Sequence, residues 1–242
     1  NQVSILLMPM DVFYCDHFPL PLPAGHRFPI EKYALVRNRV VSLLGGRIRL
    51  RVAPAATREQ LATVHTADYL ERVFSGELSE LEQRRIGFPW SPEMLHRCRR
   101  STGATIAAAE VALQAGVAAH LSGGTHHAFA DHGQGFCVFN DVAVACRVLA
   151  ARQRIQRALI VDLDVHQGNG TASIFSGDDQ FYTFSMHGDR NYPFRKTNGD
   201  LDVALPDGTS DADYLSELRS CLPQLPLESC DVVFYLAGAD PF

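Results

Sequence analysis

The sequence predicts an α/β protein built on a mostly parallel sheet, and three observations carry that expectation. Short apolar runs rich in β-branched residues alternate with amphipathic helical stretches, the pattern of repeated βαβ units. One run, Ala158–Asp162, is apolar up to its last residue, as a strand covered on both faces must be. Residues able to do chemistry follow such runs at Asp164, His166 and Asp240. Sheets of this kind bind ligands beyond the carboxyl ends of their strands.

Taken in order, residues 3–8 read as a first strand. Residues 11–29 read as an irregular arm, because Pro19, Pro21, Pro23 and Pro29 exclude helix and sheet interior alike. Residues 31–44 carry Tyr33, Leu35, Val36, Val40, Leu43 and Leu44 at helical spacing and stop at Gly45-Gly46. Residues 50–53 form a strand. Thr57 and Gln60 make a capping box for a helix, and His65 leads into a second helix ending near Phe74. Residues 75–90 are polar and punctuated by Gly and Pro, so a loop is expected. Ser91-Pro92 opens a long helix, and an alanine-rich helix runs from about Ser101 to Gln114. An amphipathic helix over 141–153 leads into the Ala158 strand. A short helix over 171–175, a strand over 181–187 and a loop over 189–206 follow. Ser210 or Asp211 caps a helix to Cys221, and residues 231–238 form the last strand. No repeat, low-complexity tract or linker interrupts residues 1–242, so one domain is expected.

The composition narrows the function. The chain has 242 residues, 46% hydrophobic and 20% charged, with a net charge of -5. Direct nucleic-acid binding is not expected of a chain with that sign of charge. No apolar run reaches the roughly 18–20 residues of a membrane span. The first ten residues lack the pattern of a signal peptide, and they lack an initiator Met, so the natural start is expected upstream. Six cysteines without a Cys-x-x-Cys pair point to reduced thiols in a cytoplasmic protein.

The chemistry gathers in residues 158–170. Asp162, Asp164 and His166 are spaced i, i+2, i+4 and point to one side of an extended chain. Two carboxylates and an imidazole crowded together call for a positive charge between them, and a divalent metal is the simplest one. Asp164, His166 and Asp240, from two strand ends, make a three-ligand set with room for water and substrate. Zinc is favoured, and iron(II), cobalt or manganese would also suit the donors. The adjacent His126 and His127, after Gly123-Gly124, supply acid–base groups. Asp162 and Asn169 are the candidates to fix their tautomers.

Together, Thr125-His126-His127, Gly135-Phe136-Cys137, Asn140-Asp141, the stretch from Asp162 to Gly170, and Gly238-Ala-Asp240 resemble the zinc-dependent histone deacetylase family. That family includes acetylpolyamine amidohydrolases and shares the arginase fold. Gln167-Gly-Asn169-Gly, with Gly25-His-Arg-Phe-Pro, is most similar to its class IV branch and bacterial relatives. The resemblance covers essentially the whole chain. It implies a single three-layer α/β/α domain and a hydrolase of acyl-lysine in proteins. Release of acyl groups from polyamines or other small acyl-amines is the alternative, and a catalytically silent metal-binding interaction domain the second. It implies Asp164, His166 and Asp240 as zinc ligands, His127 as general base, and His126 as the neighbouring electrostatic or acid group, oriented by Asp162. Asn169 stands where many members have Asp, which would lower the His127 pKa. Gly135, Phe136 and Tyr192 would line the substrate tunnel, and Ser185 and Phe175 a structural K+ or Na+ site. The family's oxyanion-stabilising Tyr lies beyond Phe242, so a further C-terminal segment is implied. His17, His26 and Arg27 would lie near the tunnel, Arg27 more deeply. His96, His120, His132 and the Arg97, Arg99, Arg100 group read as solvent-facing.

Overall fold

The structure, a computed structural model, describes residues 9–238 and 240; the strand expected over residues 3–8 lies outside them. Its strands form two parallel sheets. The first contains β1 (Met10–Tyr14), β2 (Ile48–Val52) and β3 (Ala118–His120) in the order β2-β1-β3. The second contains β4 (Ala158–Asp162), β5 (Phe181–Gly188), β6 (Leu201–Leu205) and β7 (Val232–Leu236) in the order β6-β5-β4-β7. Register places Asp162, the last residue of β4, between Ser185 of β5 and Leu236 of β7. The helices are α1 (Lys32–Leu44), α2 (Arg58–Leu61), α3 (Ala67–Ser75), α4 (Glu80–Ile86), α5 (Pro92–Ala115), α6 (Asp141–Ala151), α7 (Asn169–Phe175) and α8 (Asp211–Cys221).

The fully buried β4 explains the layering. Ala158 and Ile160 face a core shared with α3, α5, α6 and α7. Leu159 and Val161 face the opposite way, into a cluster with Phe184, Met186 and Cys221 at the end of α8. Side chains alternate across a strand, so one apolar run meets helices on both sides. That is the α/β/α arrangement.

Four local expectations change. The irregular arm begins only after Tyr14, because residues 10–14 form β1. All four prolines lie beyond Tyr14, and Asp11 within the strand is neutralised by Arg49 and Arg51 on β2 at 2.5 and 3.1 Å. The expected loop over 75–90 contains α4, started by a capping box of Ser79 and Glu82. The two helices expected between Ser91 and Gln114 are the single helix α5, since no breaker separates them. The loop over 189–206 contains β6, whose Leu201, Val203 and Leu205 pack on the cluster beneath α8.

Between β3 and β7 lies a cleft of about 530 Å³, lined by both strands, by Thr105 to Ala112 of α5 and by Asp164. Among the described residues no strand pairs with either facing edge. On α1, no residue is buried despite its apolar spacing.

Candidate active site

The site lies where β4 and β7 end. After Asp162 the chain leaves β4, and Leu163 N donates to Leu236 O at 3.1 Å, holding this segment against the end of β7. Asp164, His166 and Asp240 converge there, and each offers a ligand atom within 4.8 Å of the others. His166 Nδ1 lies 2.8 Å from Asp164 Oδ1 and 3.4 Å from Asp240 Oδ2. Hydrogen bonds to Asp164 and Asp240 raise the imidazole to about 9. Burial opposes ionisation of Asp164, yet the His166 bond and the His126 charge hold it at about 2. Two carboxylates held ionised beside an imidazole are the donors a divalent cation needs, so the residues fit a metal.

The paired histidines are both buried, and each has its own partner. His126 Nδ1 donates to Asp162 Oδ2 at 2.5 Å. Burial disfavours a charge there, but the Asp162 carboxylate outweighs it and raises the imidazole above its ordinary value. His127 Nδ1 is 2.8 Å from Asn169 Oδ1. Burial, reinforced by His126, lowers His127 to about 3. An amide oxygen can only accept, so His127 Nδ1 carries the hydrogen and Nε2 keeps its lone pair. The two rings are 4.1 Å apart, and His127 lies 5.9 Å from His166.

A residue with no role assigned from sequence fixes this loop. Asp141, fully buried at the start of α6, accepts from Gly124 N at 3.1 Å, Thr125 N at 2.8 Å, Thr125 Oγ1 at 2.7 Å and Thr105 Oγ1 at 2.6 Å. Beside it, Asn140 caps α6 through Ala143 N and binds Ala128 O with its amide. The signal was the dipeptide itself, since a helix start needs only one cap and the second polar residue was spare.

The slot residues separate into two groups with Gly135 between them. Tyr192 packs edge-on against His127 at 4.9 Å. Phe136 joins Phe28 and Phe88 at 4.9 and 5.3 Å. Gly135 has φ +57°, and a methyl group there would lie 2.7 Å from His127 Cδ2 and 3.1 Å from Tyr192 Cε1. Phe136 also has a left-handed backbone, φ 64°, unusual for a bulky residue. Its amide is held by Ile86 O at 2.6 Å.

Other expected residues fall in various places. Ser185 lines a cavity of about 10 Å³ beside Asp162 and pairs with His187 Nδ1 at 3.0 Å. Phe175 sits at the end of α7, packed on Phe181 at 4.7 Å. Arg27 is exposed rather than deep, with its guanidinium 5.0 Å above the Phe136 ring. Arg97 is only 5% exposed. It donates to Phe18 O at 2.8 Å and stacks over Tyr33, so it does not belong to a solvated face. His120 is likewise not solvent-facing. Its Nδ1 meets Thr105 Oγ1 at 3.0 Å, and burial lowers it to about 4.

A family model described as histone deacetylase domain matches residues 26–242. An uncharacterized protein of Picosynechococcus is 42% identical over 237 residues, covering 96% of this chain and 78% of that protein. A histone deacetylase-like amidohydrolase of Pseudomonas aeruginosa is 34% identical over 91% of this chain, which spans 62% of the relative. Among solved structures, a histone deacetylase homologue from Aquifex aeolicus superposes with TM-score 0.79 at 25% identity, covering 96% of this chain and 69% of its own. No described helix is long and apolar enough to cross a membrane.

Proposed function

This chain belongs to the histone deacetylase domain family, and from that premise we propose that it removes the acyl group from Nε-acyl-lysine in proteins, with a divalent metal held by Asp164, His166 and Asp240. The observation that carries the reading is the histidine pair, two adjacent imidazoles fixed by unlike partners beside a three-donor cluster. Zinc suits that donor set best, and iron(II) is the next choice. An ion there supplies Lewis-acid chemistry, polarising an amide carbonyl and making water more acidic.

The chain's own residues do the rest. His127 takes a proton from the attacking water at Nε2, because Asn169 holds its Nδ1–H. Asp162 orients His126 and stabilises its positive charge, which places a proton donor where the lysine amine leaves. As water adds to the acyl carbon, the C–N bond breaks and the amine departs protonated. Gly135, Phe136 and Tyr192 bound an apolar slot for the four-carbon lysine stem. The small cavity at Ser185 beside Asp162 supports a structural K+ or Na+ there, whereas Phe175 does not line it. Six unpaired cysteines support a cytoplasmic location.

The test uses full-length, metal-loaded protein on acetyl-lysine and long-acyl-lysine peptides and on acetylated spermidine. Release from the peptides at higher kcat/KM is the expected result. Faster release from spermidine would replace lysine by a small acyl-amine. A bound metal without hydrolysis of any substrate would leave a silent interaction domain.

A further inference from the structure

This inference rests on the acyl-amine reading above and narrows its substrates. Positive charge gathers around the slot. Arg27 is exposed and lies 5.0 Å above the Phe136 ring. Arg85, in the last turn of α4, is exposed as well, and its carbonyl accepts from Gly135 N at 3.1 Å. One guanidinium thus lies over the Phe136 ring, while the backbone of the other arginine is tied to the adjacent Gly135. Both charges reach the Tyr192 hydroxyl on the other side. Burial raises that phenol above its ordinary range, Cys137 adds to the rise, and Arg85 and Arg27 pull it back.

Neither arginine forms an ion pair among the described residues, although their neighbours do. Arg84 pairs with Glu80, and Arg72 with Glu82. The Tyr192 loop adds exposed Arg190 and Arg195. Lys196 in the same loop is committed to the carbonyls of Asn191 at 2.6 Å and Pro193 at 2.9 Å. Of the carboxylates at the slot, Asp164 and Asp240 belong to the metal cluster. Against Asp189, an exposed carboxylate of the same loop, stand Arg27, Arg85, Arg190 and Arg195, a local excess of positive charge in a chain of net charge -5.

We propose that Arg27 and Arg85 form a cationic rim that selects acyl-lysines flanked by acidic residues and disfavours acyl-polyamines. A polyamine carries its remaining ammonium groups outside the slot, against the guanidinium pair. A peptide with Asp or Glu beside the acyl-lysine brings opposite charge to the same place. Exposed rim charges act mainly on encounter and are screened by salt, so the preference must be salt-sensitive.

Full-length, metal-loaded protein is given labelled acetyl-lysine peptides that differ only in Glu or Lys flanks, with acetylated spermidine as competitor. Binding is read by fluorescence anisotropy and hydrolysis by amine release, at about 0.05 M and about 0.5 M NaCl. The Glu-flanked peptide is expected to bind and react about 10-fold better at low salt, with the gap narrowing at high salt. R27E/R85E is expected to reverse the order, and R27K/R85K to keep it. Equal binding of the two peptides by the unaltered protein, or a preference that survives R27E/R85E, overturns the rim. A flank preference in binding without release of any acyl group would overturn the acyl-lysine reading and leave the rim standing.

Discussion

His127 shows how much one hydrogen bond decides. Its Nδ1 is committed to Asn169, a neutral partner, while its neighbour His126 has a carboxylate. Adjacent residues of the same type are therefore held in different protonation states, which is what the proposed base and acid require. His127→Ala is expected to lower turnover by at least about 100-fold with metal content unchanged, as read by steady-state kinetics and elemental analysis. If His126→Ala is crippling and His127→Ala mild, the two roles are exchanged. Gly135 is the second test at this scale. Alanine there meets both a left-handed φ and the His127 ring at 2.7 Å. The backbone alone costs about 1 kcal/mol. The displaced ring is expected to lower kcat/KM at least about 10-fold. Unchanged kcat/KM in Gly135→Ala would mean that the slot is not the substrate's path.

Among the elements, the β1–β2 pair depends on a carboxylate that strand propensity disfavours. The hydrogen bond from Arg49 holds Asp11 at about 2, with burial pushing the other way. A carboxyl group depressed in the folded state contributes its full stability above its unfolded value of about 4. That contribution is lost as pH falls from there through about 2. Urea denaturation across this range should show the acid decline in the unaltered protein. Asp11→Asn should be less stable at neutral pH and decline less steeply below about pH 4. Equal acid slopes would show that other carboxylates govern the decline. The element missed from sequence, α4, was legible in its capping box of Ser79 and Glu82, but the surrounding Gly and Pro residues outweighed it. Its burial of Ile86 shows the compensating contact, which no local pattern contains.

For the whole molecule, the cleft between β3 and β7 sets the expectation. Both edges are parallel strands, and the cleft of about 530 Å³ runs to Asp164. On the β7 face away from the main core, Val233 and Tyr235 are exposed, Tyr235 by 62%. A strand entering the cleft in parallel would satisfy both edges and join the sheets, and a following helix would cover that face. As it stands, this face is an apolar patch open to solvent and is expected to bind an apolar dye, with Tyr235→Ser lowering that binding. Equal dye binding by the two proteins would show that the face is covered.

By itself, the sequence determined the α/β class, most element positions and the three residues that converge as a candidate metal cluster. Apolar alternation, caps and strand ends are written over a few neighbouring residues, so β4, the Thr57 and Ser91 caps, and Asp164 with His166 were legible there. Tertiary structure decided which imidazole meets Asp162 and which meets Asn169. It also decided that Arg97 is buried, that His120 is half-buried against Thr105, that Arg27 is exposed above the Phe136 ring, and that α1 fully buries none of its apolar side chains. Those outcomes depend on groups tens of residues apart in the chain. Burial and partner choice are properties of the packed whole, which no local pattern encodes.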